Sequence, residues 1–275
     1  DKVISKVVDN NELFKTKNIA STEIISFESF DGTEIFGLLT KPHDFDPNKK
    51  YPLLIRIHGG PVSQYGVRFS MEWQIFASNG YLVLAINPRG SSGRGEEFQK
   101  AIYADWGNVD AKDIIAAADF ISEKSYVDPD RLGIGGWSYG SMLTNYVIAS
   151  DSRFKAATSG AGISNILSGF GDDHYIREYI DELGTPWDNL DIWMRISYPF
   201  FEADTIITPT LFLVGEKDFN VPLIGSEQMY QALRHNNIDT KLLIYPGEHH
   251  GLSKPSNRIH RMDSYLNWYA KYLND

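Results

Sequence analysis

Apolar residues fall along this chain in short continuous runs, separated by longer stretches whose apolar positions recur at helical spacing. Leu53-Leu54-Ile55-Arg56-Ile57, Tyr81-Leu82-Val83-Leu84-Ala85-Ile86, Pro209-Thr210-Leu211-Phe212-Leu213-Val214 and Lys241-Leu242-Leu243-Ile244-Tyr245 are such runs. Without strict alternation of polar and apolar positions, they read as strands buried on both faces. Phe154-Lys155-Ala156-Ala157-Thr158-Ser159 is a further strand. Helices are expected over 68–79, 109–124, 222–235 and 256–273; in the second, Ile114, Ile115, Ala118 and Ile121 share one face. Nearer the start, Glu23–Glu28 and Glu34–Leu39 flank Phe30-Asp31-Gly32-Thr33, the signature of a hairpin. Strands alternating with helices predict an α/β fold: a mostly parallel central sheet with helices on both faces. Residues 165–205 break the rhythm with a dense mixture of aromatic and charged side chains. They read equally as the wall of a substrate pocket and as a helical cover for the sheet.

Ligands of such sheets bind beyond the carboxyl ends of the strands. The loops at 58–61, 87–95, 137–141, 215–221 and 246–251 all follow predicted strands. One of them carries the sharpest motif. The apolar run Arg131-Leu132-Gly133-Ile134-Gly135 ends in Gly136-Trp137-Ser138-Tyr139-Gly140, and a helix-compatible segment, Met142–Ala149, follows at once. A strand turning sharply into a helix presents a serine hydroxyl clear of the sheet, and small residues two before and two after it let strand and helix approach. Ser138 is therefore the candidate nucleophile. A serine hydroxyl needs an adjacent base, and the base needs an orienting carboxylate. In the strand order of such sheets these follow as acid and then histidine. Gly215-Glu216-Lys217-Asp218 offers Asp218 or Glu216, and Glu248-His249-His250-Gly251 offers either histidine. An oxyanion would be held by the backbone N–H of Tyr139 and by one from Gly59-Gly60. His58 precedes the serine and reads as a buried, hydrogen-bonded support of its loop.

Composition narrows the partners. The net charge of −10, with no dense Lys/Arg cluster, argues against a nucleic-acid surface. No apolar run has the length of a membrane-spanning helix, so no membrane partner is expected. There are no cysteines, which excludes disulfides and thiolate metal sites. The His249-His250 pair lacks a companion cluster of ligands, so neither a metal nor a cofactor is expected. The chain begins with Asp1 and shows no signal peptide, which reads as a processed or trimmed product. Compartment stays open, and a homo-oligomer is compatible with the sequence.

Taken together these segments resemble the catalytic domain of the prolyl oligopeptidase family of serine peptidases, in its acylaminoacyl-peptidase and dipeptidyl-peptidase branches. The resemblance runs through Asp31-Gly32, Tyr51-Pro52, His58-Gly59-Gly60-Pro61, Asn87-Pro88-Arg89-Gly90-Ser91-Ser92-Gly93, the Ser138 motif, Gly215–Pro222 and Pro246–Gly251, and covers roughly residues 30–273. It implies an α/β-hydrolase fold and an acyl-enzyme mechanism. It assigns Ser138 as nucleophile, Asp218 as acid and His250, directly before Gly251, as base. It matches Tyr139 and Gly60 to the oxyanion donors and Asn220 to a substrate-binding position; Val221, Ile163 and Ile166 are candidates for the pocket. Ser141 stands where a second glycine is usual. The family's β-propeller has no counterpart in this sequence, so residues 1–20 read as an extension or a remnant of the connection to it, and 21–275 as the catalytic domain. The expected substrate is a short peptide or acylated amino acid with an apolar residue at the cleaved bond. The rivals are a carboxylesterase on the same triad and a non-catalytic binding module that kept the fold.

Overall fold

The computed structural model describes residues 17–274. In chain order the elements are β1 (Thr22–Glu28), β2 (Glu34–Thr40), β3 (Tyr51–Ile57), α1 (Met71–Ser78), β4 (Leu82–Asn87), α2 (Glu96–Lys100), α3 (Val109–Ser122), β5 (Val127–Trp137), α4 (Tyr139–Ser150), β6 (Ala156–Gly160), α5 (Ile166–Gly169), α6 (Ile176–Leu183), α7 (Leu190–Arg195), α8 (Tyr198–Phe201), a 3₁₀ turn at Ala203–Thr205, β7 (Thr210–Gly215), α9 (Leu223–His235), β8 (Thr240–Tyr245) and α10 (Pro255–Leu273). Most of the expected strands and helices are found within a few residues of their expected limits.

The eight strands form one sheet in the order β1-β2-β4-β3-β5-β6-β7-β8. The hairpin β1–β2 adds to the sheet antiparallel to β4, and from β4 to β8 every pairing is parallel. A parallel sheet needs cover on both faces, because each connection crosses over it. On one face α1 and α10 bury Trp73, Phe76, Tyr265, Trp268 and Tyr269 against Leu54, Val83, Leu211 and Leu213. On the other, α3, α4 and α9 bury Ile114, Ala118, Leu143, Val147, Met229 and Leu233 against Leu53, Ile55, Leu84 and Ile134. Each fully buried Leu, Ile or Val contributes about 1.5–3 kcal/mol of transfer free energy.

Two buried ionic clusters tie loops to this frame. Arg89 forms a two-pronged pair with Asp113 of α3, through Nε to Oδ2 at 3.0 Å and Nη2 to Oδ1 at 2.7 Å, and also reaches Asp31 in the β1–β2 turn. That interaction holds the Asp31 carboxyl at about 2. Arg56, inward-facing on β3, is neutralised by Glu72 of α1 at 3.0 Å. It also donates to the hydroxyls of Thr158 and Tyr269.

Most of the expected N-terminal extension, residues 1–16, lies outside the described residues. Its last residue, Ala20, is buried, and the Gln74 amide both donates to its carbonyl and accepts from its N–H. Residues 165–205 resolve into four short helices and the 3₁₀ turn between β6 and β7.

Candidate active site

The site is built where β5 meets α4. Ser138 has φ 60° and ψ −129°, left-handed backbone that a residue with a side chain adopts only when its surroundings impose it. The imposition is visible on both sides. Its N–H donates to the carbonyl of Gly160 on β6 at 2.8 Å, and its carbonyl accepts from Ser141 and Met142 as the first turn of α4. A Cβ on Gly140 would lie 2.2 Å from the carbonyl oxygen of Ile57, so only glycine lets α4 seat against β3 here. Ser141, the departure from the usual glycine, is accommodated by a second glycine. A Cβ on Gly162 would fall 1.7 Å from Ser141 Oγ, and in the space left open that hydroxyl meets Ser159 Oγ at 2.9 Å.

Two neighbouring strand ends supply the acid and histidine. Asp218 follows β7 and His250 follows β8, and β7 and β8 are paired. His250 Nδ1 lies 2.8 Å from Asp218 Oδ2 and 3.1 Å from Oδ1. Asp218 is buried, and its Oδ1 also accepts from the backbone N–H groups of Asn220 and Val221 at 3.0 and 2.9 Å. Two backbone N–H groups and the imidazole thus converge on this one carboxylate. With Nδ1 turned to the carboxylate, Nε2 is the ring nitrogen that does not face Asp218. The histidine's backbone is held in turn by the Trp137 indole, whose Nε1 donates to the His250 carbonyl at 2.9 Å.

The loop that carries His250 has its own clasp. Glu248 is buried and accepts from Ser253 N and Oγ, Lys254 N and Asn257 Nδ2 at 2.7–3.0 Å. These bonds, led by the Ser253 N–H, hold its carboxyl at about 2. Its carbonyl accepts from Lys217, beside Asp218, so the acid loop and histidine loop are joined by backbone as well. Of the two histidines the sequence offered, His249 turns the other way, with Nδ1 at 2.9 Å from the Lys217 carbonyl. Of the two acids, Glu216 accepts from Gly247 N and does not touch His250. His58 is buried, with its ring nitrogens at 2.8 Å from the Gly59 carbonyl and 2.9 Å from Ser91 Oγ. Burial pushes its pKa down.

A cavity of about 220 Å³ opens beside Ser138, lined by Gly60, Pro61, Trp106, Ser138, Tyr139, Met142, Ile163, Tyr175, Glu178, Tyr179, Glu182, Asn220 and Val221. Of the residues singled out in the sequence, Gly60, Tyr139, Asn220, Val221 and Ile163 line this cavity. Ile166 does not. It is fully buried at the start of α5, and its N–H donates to Ser197 Oγ, so it packs into the core behind the cavity. Trp106 and the α6 pair Glu178 and Glu182 went unrecognised in the sequence. Only the dense aromatic and acidic content of 165–205 hinted at the latter. The tie between them is tertiary: Glu182 Oε1 accepts from Trp106 Nε1 at 2.6 Å and from Ala104 N at 2.9 Å. Beneath the cavity the Tyr139 hydroxyl donates to the fully buried Asp110 at 2.6 Å, and burial pushes that carboxyl up to about 7. Among the described residues no group of three or more metal-ligating side chains occurs, and no helix is long and apolar enough to cross a membrane.

A strained serine between a central parallel strand and its helix, with an acid and a histidine on later strand ends, defines an α/β-hydrolase domain. The chain belongs to the prolyl oligopeptidase family, whose sequence model matches residues 67–275. It is 35% identical over 271 residues to an uncharacterized peptidase of Bacillus subtilis, YuxL, covering 96% of this chain and 41% of that one. It is 31% identical over 261 residues to dipeptidyl-peptidase 5 of Schizosaccharomyces pombe, covering 93% of this chain and 38% of the other. The acylaminoacyl peptidase of Pyrococcus horikoshii superposes with a TM-score of 0.89 at 29% identity, over 98% of this chain and 44% of that structure. The chain thus spans about two fifths of the length of the curated relatives it matches.

Proposed function

We propose that this domain is a serine peptidase that cleaves short peptides or acylated amino acids through an acyl-enzyme, with Ser138, Asp218 and His250 as its catalytic residues. The observation that carries the reading is the Asp218–His250 pair, with Asp218 tied by two further backbone N–H groups, on the ends of β7 and β8 in the same sheet whose central strand β5 ends at the strained Ser138. Ser138 Oγ attacks the substrate carbonyl carbon while His250 Nε2 takes its proton. The negative charge that develops on the carbonyl oxygen is held by the N–H groups of Tyr139 and Gly60, each worth about 3–4 kcal/mol in comparable sites. Asp218 keeps Nδ1 protonated and stabilises the imidazolium, without taking the proton itself. Collapse breaks the carbon–nitrogen bond, and the leaving amine departs with the proton from His250. Water, deprotonated by the same nitrogen, attacks the ester and returns Ser138. Asn220, at the cavity wall, is in reach of a substrate carbonyl, and Val221 and Ile163 contribute apolar wall. Relatives named as peptidases favour amides over esters as the natural substrate class.

The test is Ser138→Ala. It is expected to lower kcat on acyl-amino-acid anilides by roughly 10⁶-fold and to abolish labelling by a fluorophosphonate, with the thermal midpoint unchanged. Retained turnover in the variant would end the assignment. Fast turnover of short aryl esters with negligible anilide cleavage by the parent chain would replace the peptidase with an esterase.

A further inference from the structure

We propose that Asp110 is a positioning residue for the oxyanion site: by accepting the Tyr139 hydroxyl it fixes the tilt of the Ser138–Tyr139 peptide, whose N–H is the donor. The inference rests on the reading of Tyr139 as an oxyanion donor in the proposed peptidase. Asp110 lies in the first turn of α3 and is fully buried. No ion pair reaches it among the described residues; Arg89, which docks on the same helix, is taken by Asp113 and Asp31. A carboxyl buried without a cation is costly and persists only where hydrogen bonds offset the loss of water. Two donors do so here: the Tyr139 hydroxyl at 2.6 Å from Oδ2, and the backbone N–H of Ala111 at 3.0 Å from Oδ1. Among the described residues Tyr139 is thus its one hydrogen-bonding side chain. Burial, with Asp110 beside it, raises the Tyr139 hydroxyl well above its ordinary range, so it stays protonated and donates.

The position of Tyr139 gives that bond its leverage. Tyr139 is the first residue of α4, directly after the left-handed Ser138. Strained backbone of this kind holds only when its surroundings leave it no alternative, and relaxing it would swing the next N–H away from the substrate oxygen. That N–H must stay open for the substrate, so its direction has to be set through neighbouring atoms. On one side Gly140 is pressed against β3, where a Cβ would lie 2.2 Å from the Ile57 carbonyl oxygen. On the other the Tyr139 ring is tied at its tip to α3 and flanked by Trp106, which stands edge-on at 6.3 Å. Trp106 is fixed in turn by Glu182 at 2.6 Å. A ring held at tip and flank does not turn about its Cα–Cβ bond, and the peptide that carries it does not roll. Without the bond to Asp110 the ring is free to move into the cavity it lines, and the peptide tilts with it. Oxyanion donors work by being aimed in advance, and a misplacement of about 1 Å costs up to about 10²-fold in rate. Asp110 itself touches no reacting atom and acts through Tyr139.

The test uses the full chain with Asp110→Ala, Asp110→Asn, Tyr139→Phe, and Asp110→Ala combined with Tyr139→Phe. One readout is the direction of the Tyr139 N–H, taken from the residual dipolar coupling of its amide in chain carrying isotopically labelled tyrosine; Tyr139→Phe identifies the resonance. The other sets kcat on an acyl-amino-acid anilide against the affinity of the matching amide, measured by calorimetry on the Ser138→Ala form of each variant. Asp110→Ala is expected to reorient the N–H and to lower kcat about 10- to 100-fold, with amide affinity nearly unchanged. Tyr139→Phe should lower kcat as much, and the double variant no further, because both remove the same bond. Asp110→Asn keeps an acceptor oxygen, and should keep the N–H direction and hold kcat within about threefold of the parent. An N–H that keeps its direction in Asp110→Ala, losses that multiply in the double variant, or a loss confined to amide affinity would each overturn the proposal. Should Asp110→Ala fail to fold, Tyr139→Phe decides alone, and full kcat in it overturns the proposal. The N–H direction needs no turnover, so a reorientation in a chain whose parent cleaves no anilide would remove the peptidase reading and leave the anchor standing. Anilide cleavage with an unmoved N–H would remove this proposal alone.

Discussion

The ends of the parallel strands and the 165–205 insertion both border the cavity, yet they are held in opposite ways. The strand ends are fixed by backbone. Ser138, Asp218 and the Glu248 loop are pinned by main-chain hydrogen bonds from neighbouring strands and loops, and the close approach of α4 to β3 leaves no space for a side chain at Gly140. The insertion is fixed by side chains. Trp193, fully buried, meets Phe170 and Tyr179 edge-on at 5.5 Å, Tyr198 packs on Tyr146 of α4, and Glu182 reaches across to Trp106. Backbone-determined geometry survives most sequence change, whereas geometry set by aromatic contacts changes with each substitution. Under the proposed function, this difference would assign reaction chemistry to the first region and substrate selection to the second.

That division can be broken from either side. The largest expected effect is on the strand ends: Asp218→Asn should keep the fold and lower kcat about 10⁴-fold, the size known for the equivalent change in a Ser-His-Asp protease, by favouring the wrong histidine tautomer. Steady-state kinetics beside a melting curve would show it, and a loss under tenfold would mean that His250 is oriented by something else. Next comes Trp193→Ala, which should cost about 3–5 kcal/mol of stability. It should raise KM for anilides while leaving Ser138 reactive to fluorophosphonate at low temperature; equal loss of labelling and binding would show that the two regions do not separate. The smallest effect is on the histidine loop. The Glu248 carboxyl is held at about 2, below its ordinary 4.5, so its stabilising contribution is complete above pH 4.5 and disappears as pH falls towards 2. Glu248→Gln should therefore be less stable than the parent at neutral pH and converge with it in acid, as followed by thermal midpoint against pH. A constant gap down to pH 2 would show that the carboxylate charge contributes nothing.

The same contrast explains what could be read from the sequence. Leu53–Ile57, apart from Arg56, and Tyr81–Ile86 announce strands because burial on both faces demands near-continuous apolar residues, a local property. The Ser138 motif was legible for a related reason: the turn itself dictates small neighbours. Position a few residues past such strands narrowed the acid to Asp218 or Glu216 and the base to His249 or His250, and the family resemblance chose between them. By contrast, Ile166 looked like pocket wall from its position after β6, but the chain turns into α5 there and carries it inward. Trp106 and Glu178 lie in different segments, and nothing local in either signals that they share a cavity. Glu248 was visible beside the histidines but not its role, because its four donors come from the next helix and its approach, whose fold back over the loop is a tertiary fact.

The position of β8 carries one more consequence. Among the described residues it pairs only with β7, and its outer side chains, such as Ile244, are partly open to solvent. An edge unit of this kind opens at lower free energy than the strands sandwiched at the centre. His250 hangs from its end, while Ser138 is anchored in the middle of the sheet. On gentle warming the parting of β8 from β7 would separate the base from its acid before the core melts. Catalytic lifetime would then be governed by the hem of the sheet, and reinforcing the β7–β8 seam would prolong it more than any improvement to the interior.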